Sequence, residues 1–254
     1  DRAVNVQDSV KSLSKHGLLR STAVFGSMTF LARMAGLARD LLQASLFGTG
    51  AAVSAFVIAY RIPNYLRRIF AEGSFSSAFV PVLSELREKG DEAQIQDFLN
   101  HIAGALLAAV LLVTACGIAL SPWLARLFLL LADKDSELVA LTAAMMRITF
   151  PYLAFISMTA LAGAVMNSFR HFGLPAFIPV LHNLAIIFAI LVLAQYFEVP
   201  AFALAWGVFL AGLLQFCVMW PALRRFGLKP HFKLNFKHPG VQRVFKLMLP
   251  TIFS

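Results

Sequence analysis

Charge is scarce in this chain: 14% of its 254 residues are Asp, Glu, Lys or Arg, and only 13 are acidic. An average soluble domain carries ~25% charged residues, so a water-facing surface of the usual kind is excluded. Cysteine is nearly absent. Cys116 and Cys217 fall in apolar runs with no CxxC spacing and no His cluster nearby, which excludes a disulfide framework or thiolate metal site and reads as two small core residues. The chain has no GxxxxGK[ST] loop to cradle a nucleotide, no HExxH and no GxSxG. Its acids are too few for paired acid–base work. No catalytic constellation emerges, and no cofactor or metal is expected. Short-period repeats and low-complexity segments are also missing. The first apolar run, from about Leu18, is too long for a cleavable signal and leads into further spans.

What is plentiful is apolar residues, at 59% of the sequence with a mean hydropathy of +0.75. A soluble globule of this length could not hide that much apolar surface, so lipid is the solvent for most of the chain. Crossing a bilayer core takes ~20 apolar residues per helix. Six stretches reach that length, at about 18–47, 51–84, 98–124, 138–168, 175–196 and 200–222, separated by breaks such as Gly48-Thr49-Gly50 and Glu198-Val199-Pro200. The expected fold class is all-α: a polytopic transmembrane helix bundle of six complete helices plus the start of a seventh. The expected organisation is a cytoplasmic segment over 1–17, a six-helix lobe over 18–222, a basic cytoplasmic linker over 223–240 and a seventh helix begun over 241–254.

The net charge of +9 does not point to nucleic acid, because the cations sit in loops between apolar spans rather than along one soluble face. Membrane lipids of negative charge are the better partner. If the amino terminus is cytoplasmic, that side holds fourteen Lys and Arg, among them Lys89, Arg170, Arg224 and Lys246, and the opposite side holds Arg126 and Lys134 alone. The positive-inside rule therefore places the amino terminus, and the linker after six crossings, in the cytoplasm.

The remaining six cations, Arg33, Arg39, Arg61, Arg67, Arg68 and Arg147, lie within the expected spans, and all are arginine. Facing lipid, each would cost ~2.5 to 17 kcal/mol, so they are expected to face protein or water. Asp40 and Glu72 are the acids at that depth. Arg33 and Asp40 are seven apart and Arg68 and Glu72 four apart, so each pair can meet on one helix face. That leaves Arg39, Arg61, Arg67 and Arg147 in surplus, and fixed positive charge facing a cavity implies an anionic guest. Arginine sharpens the inference. A guanidinium stays charged when desolvated and offers a planar fork for phosphate or carboxylate, which a lysine cannot reproduce. Diphosphate is the natural match.

On the second span, Arg61, Asn64, Arg68 and Glu72 follow a three-to-four spacing and are expected to form one polar stripe along the cavity. Gly36 between Arg33 and Arg39 permits either a bend that turns both inward or close approach of a neighbouring helix. Arg61 and Arg147 have a plain alternative as snorkelling or packing residues. His182 and Asn183 read as helix–helix hydrogen-bonding residues rather than ligands.

Three runs carry a family resemblance: Ala32-Arg33-Met34-Ala35-Gly36-Leu37-Ala38-Arg39-Asp40; Ile62-Pro63-Asn64-Tyr65-Leu66-Arg67-Arg68-Ile69-Phe70-Ala71-Glu72-Gly73-Ser74-Phe75; and Ala78-Phe79-Val80-Pro81. Together with Ile148-Thr149-Phe150-Pro151-Tyr152 and Pro175-Ala176-Phe177, they resemble the MurJ (MviN) lipid II flippases of bacterial cell-wall synthesis, from about Leu18 onward. The resemblance implies an inner-membrane, multi-pass transporter of the multidrug/oligosaccharidyl-lipid/polysaccharide superfamily, not an enzyme, with two lobes around a cationic cavity and alternating access. The substrate it implies is lipid II, an undecaprenyl-diphosphate-linked sugar-peptide. It places the functional arginines at Arg33, Arg39 and Arg67, with Arg68, Asp40, Asn64 and Glu72 as supporting positions; taken with the charge and spacing arguments, the expected binding residues are Arg33, Arg39, Arg67, Arg68 and Asn64, supported by Asp40, Glu72, Arg61 and Gly36. Two departures stand out. Ser54 occupies a position where many relatives carry an acid, and the family is about twice this length, so a carboxy-terminal lobe is expected as a partner. The alternatives are a flippase for another polyprenyl-diphosphate-linked saccharide and a non-transporting membrane scaffold, and the scaffold leaves the intramembrane arginines unexplained.

Overall fold

The computed structural model describes residues 2–130, 136–225 and 227–252, with only the backbone described at 2–18, 20–21, 72, 136 and 252. Every regular element among the described residues is helical. In chain order these are α1 (Arg2–Phe47), α2 (Ala51–Arg67), a π-helical turn (Arg68–Glu72), α3 (Ser74–Lys89), α4 (Glu92–Leu130), α5 (Ser136–Thr149), α6 (Pro151–Ser168), α7 (Gly173–Phe188) continued by a π-helical turn (Ala189–Leu193) and a 3-10 turn (Ala194–Tyr196), α8 (Phe202–Arg225) and α9 (Pro239–Ile252). Local chemistry sets the boundaries. At the α3–α4 corner, Gly90 takes a left-handed φ of 72°, which suits glycine as a helix stop, and Asp91 then caps α4 by accepting from the Ala93 and Gln94 N–H groups at 3.0 and 3.2 Å.

Among the described residues, four helical stretches are long and apolar enough to cross a membrane: Glu92–Leu130, Glu137–Ser168, Gly173–Tyr196 and Phe202–Arg225. They coincide with the third to sixth expected spans. The first two expected spans are helical as well, but they hold Arg33, Arg39 and Asp40 in one and Arg61, Arg67, Arg68 and Glu72 in the other, and they fall outside this group of four. The second of them is also not a single α-helix. Its ladder widens to an i→i+5 bond at Gly73 N–H to Arg68 C=O, 2.7 Å, and a Cβ at Gly73 would come within 2.9 Å of that same carbonyl oxygen.

α6 is the central helix. It packs against α8, α4 and α3 and buries most of its residues, with Ala162, Gly163 and Ala164 allowing close approach. Two apolar clusters fill the bundle. One is built around Phe75, Phe79 and Phe98, whose rings stack at 5.3 and 5.6 Å, and the other around Met145, Met146, Tyr152 and Leu204. α1 stands at the edge, with α7 as its main neighbour.

The segment between α8 and α9 runs extended along the start of α4. Asn100 receives the His231 N–H at 2.7 Å on its side chain and the Lys233 N–H at 3.2 Å on its backbone carbonyl, while Phe232 stacks on Trp220 at 5.6 Å. Asp97, His101 and His238 close the corner: His238 Nε2 donates to Asp97 at 2.9 Å, and the two imidazoles stack at 4.4 Å. These three could hold a metal ion by proximity alone. The Gly240 N–H, however, donates to His238 Nδ1 at 3.1 Å, so Nε2 carries the proton given to Asp97 and is not free as a ligand. α9 buries Val241, Val244 and Met248 against its neighbours and keeps Arg243 and Lys246 exposed.

The reading of Cys116 and Cys217 as core residues is corrected. Both are free and exposed, on outer faces of α4 and α8. In a membrane bundle an apolar outward face is as acceptable as a core position, so an apolar sequence context does not distinguish the two.

Candidate functional site: a cavity between α1, α2, α6, α7 and α8

Arg39 lies where α1 meets α7. Its Nε and Nη2 donate to Asp40 at 2.9 and 2.7 Å, and its Nη1 donates to Asn183 Oδ1 at 2.9 Å. Asn183 is buried and also donates from Nδ2 to the Ala32 carbonyl at 3.0 Å, so one side chain ties the two helices and steadies the guanidinium. Gly36 makes the contact close: a Cβ there would sit 3.5 Å from Asn183 Nδ2. α1 runs as one helix through Gly36, in keeping with close packing at that position. Of the five N–H groups of Arg39, three are engaged among the described residues, which leaves one on each terminal nitrogen.

Arg67, in the last turn of α2, donates from Nε to Asn64 Oδ1 at 3.1 Å. Arg39, Gly36, Asn64 and Arg67 line one cavity of about 530 Å³ with Tyr60, Tyr152, His182, Asn183 and Gln215. No carboxylate lines it among the described residues. Its wall also holds two buried polar atoms without a hydrogen-bond partner, His182 Nδ1 and Gln215 Oε1.

The other expected positions lie elsewhere. Arg33 is exposed and lines a neighbouring cavity of about 480 Å³ that shares Pro179 and Asn183 with the first. The expected Arg33–Asp40 pair does not form. Asp40 is taken by Arg39, because seven residues of helix separate Arg33 from Asp40 by ~10 Å along the axis. The expected stripe Arg61, Asn64, Arg68, Glu72 is likewise corrected. The face of α2 on the cavity is Phe56, Tyr60, Asn64 and Arg67, while Arg61 and Arg68 are exposed on an adjacent face. Residues 60 and 61 differ by 100° around a helix, so a stripe set one residue off points away. The Glu72 side chain lies outside the described residues. Arg147 donates to Ser121 at 3.0 Å and ties α5 to α4, away from the cavity. A third cavity, of about 500 Å³, has Arg87 as its cation, held by the Ser168 carbonyl and the Phe169 ring.

A family model described as lipid II flippase MurJ matches residues 43–254. The chain belongs to the MurJ family. A MurJ relative from Burkholderia cenocepacia, a lipid II flippase, is 39% identical over 241 residues, 93% of this chain and 47% of that protein. The probable lipid II flippase MurJ of Haemophilus influenzae is 42% identical over 234 residues, 89% of this chain and 46% of its own. A solved structure of lipid II flippase MurJ in an inward closed conformation superposes with a TM-score of 0.74 at 25% identity, over 90% of this chain and 47% of that one. The chain thus spans about half the length of the curated MurJ relatives it matches.

For this MurJ-family bundle, charge at membrane depth was the signal that found Arg39 and Arg67, and the polar spacing of the second span found Asn64. It passed over Gln215, which carries no charge, and the reading of His182 as a helix–helix residue is corrected by its place on the cavity wall with Nδ1 unpartnered. Asn183 does bond helix to helix, as expected, and touches the cavity as well.

Proposed function

We propose that this chain forms the amino-terminal, cation-lined half of a flippase that moves lipid II across the bacterial inner membrane by alternating access. Arg39 and Arg67 with Asn64 bind the diphosphate, Asp40 and Asn183 orient Arg39, and the undecaprenyl tail stays in the bilayer. Arg33 extends the cationic path into the adjoining cavity, and a carboxy-terminal half completes the transport pathway. The amino terminus and the basic linker lie on the cytoplasmic side, following the fourteen-to-two split of Lys and Arg.

The observation that carries this reading is the pair Arg39 and Arg67 on one cavity with no lining carboxylate among the described residues, Arg39 being held so that each terminal nitrogen keeps a donor for an anion. The test is complementation of a flippase-depleted strain by the intact protein carrying Arg39→Ala or Arg67→Ala, with membrane levels checked. Full rescue by both variants would overturn the proposal. Cysteine labelling at Lys89 from the cytoplasmic side alone is the expected result for the orientation.

A further inference from the structure

Two buried polar atoms in the wall of the central cavity have no partner, and one of them, Gln215 Oε1, can only accept. Gln215 is 2% exposed, and its Nε2 donates to the Ile178 carbonyl at 3.1 Å, which fixes the amide and leaves Oε1 facing no donor. His182 Nδ1 is buried in the same wall and equally unpartnered. Buried polar atoms are nearly always paired, and each one left bare bears the full cost of its desolvation. The other bare hydroxyls, those of Thr114, Thr142 and Ser157, line none of the three cavities described above. A phosphate oxygen cannot satisfy Gln215 Oε1, since both groups only accept. The missing partner is a donor, either a hydroxyl or an amide N–H.

The surrounding wall is aromatic. Phe56 stacks on Tyr60 at 5.8 Å, Tyr60 meets Tyr152 edge-on at 5.9 Å, and Tyr152 meets His182 at 5.8 Å, so four rings run in sequence from α2 across α6 to α7. Gly212 of α8 backs Tyr152 so closely that a Cβ there would approach the ring to 2.8 Å. Rings that offer an apolar face beside a polar edge match a pyranose, which has a C–H face and a hydroxyl rim.

We infer that Gln215, His182 and the Tyr60–Tyr152 rings form a subsite for the saccharide of the lipid-linked headgroup, beside the arginine clamp. The inference rests on the diphosphate reading above and adds to it the group that gives the cavity its preference among diphosphate lipids. Gln215 Oε1 takes a sugar hydroxyl or acetamide N–H, and His182 Nδ1 takes a second hydroxyl.

The experiment measures binding of two probes to the intact protein in nanodiscs: undecaprenyl diphosphate, and the same lipid bearing its N-acetylhexosamine disaccharide-peptide. His182→Phe, which keeps a ring beside Tyr152, and Gln215→Met are expected to weaken the sugar-bearing lipid about tenfold, the loss of one buried hydrogen bond to a ligand, and to leave undecaprenyl diphosphate unchanged. Arg39→Ala should weaken both probes. Equal effects of His182→Phe on the two probes, or none on either, would overturn the subsite while the clamp stands. Unchanged binding in Arg39→Ala alongside selective loss in His182→Phe would instead remove the clamp and keep the subsite. Should Gln215→Met fail to fold, His182→Phe alone decides.

Discussion

Arg39 and Asn183 are 144 residues apart in sequence and 2.9 Å apart in space. The bond joins α1, which stands at the edge of the bundle, to α7, and it orients the one cavity arginine whose carboxylate partner is adjacent in sequence. Asn183→Ala is expected to strip both the Ala32 carbonyl and the Arg39 guanidinium of a partner, at about 1–3 kcal/mol. In a double-mutant cycle with Arg39→Ala, followed by thermal unfolding in detergent, the two changes should couple by roughly 0.5–3 kcal/mol. Additive losses would show that the two side chains act independently.

Lysine separates a clamp from a field. If Arg39 and Arg67 hold phosphate through the guanidinium fork, Arg39→Lys and Arg67→Lys should lose most flipping activity in the complementation assay although charge is kept. Near-full rescue by lysine with none by alanine would point to a general positive field instead. Ser54→Asp is expected to have a small effect by comparison.

At the π-helical turn, Gly73→Ala pushes a methyl group against the Arg68 carbonyl oxygen, 2.9 Å from an ideal Cβ. The obstacle is backbone, so the turn must shift, and with it Arg67 one residue before. Overpacking of this kind costs about 1–3 kcal/mol. Both a lower melting temperature and weaker undecaprenyl diphosphate binding are expected. Wild-type values for both would mean that the turn tolerates a side chain.

Outside the membrane-spanning stretches, Glu85 at the end of α3 accepts from Arg243 of α9 at 2.6 Å and from Lys89 at 3.2 Å. Arg243 first, and then Lys89, hold its carboxyl below the ordinary carboxylate value. A depressed folded value means that the tie is complete above the unfolded carboxylate pKa of about 4.3 and is lost as pH falls through the folded value. Protection of the α9 amides, corrected for the pH dependence of intrinsic exchange, should therefore fall on acidification below about pH 4, more so at low salt, where surface pairs are least screened. Glu85→Gln should remove that pH step. Its persistence would assign it to another group.

Much of this protein follows from composition and local pattern. Apolar runs of bilayer length specify helices because unpaired backbone groups are intolerable in lipid, and arginine at that depth marks a cavity because lipid cannot solvate it. Those two arguments reach the all-helical class and Arg39 and Arg67 at the cavity, while polar spacing adds Asn64 and glycine packing adds Gly36. They cannot say which neighbour an arginine meets. Asp40 pairs with Arg39 rather than Arg33, and Arg61 and Arg68 point away from the cavity that Asn64 and Arg67 line, because azimuth and helix packing decide contact where spacing only permits it. Cys116 and Cys217 lie outward for the same reason: in lipid an apolar residue is at home on either face. Gln215 stayed hidden, and His182 was assigned only to helix–helix bonding, because a polar residue can satisfy itself within a helix bundle. Only their tertiary surroundings leave His182 Nδ1 and Gln215 Oε1 unpaired on a cavity wall.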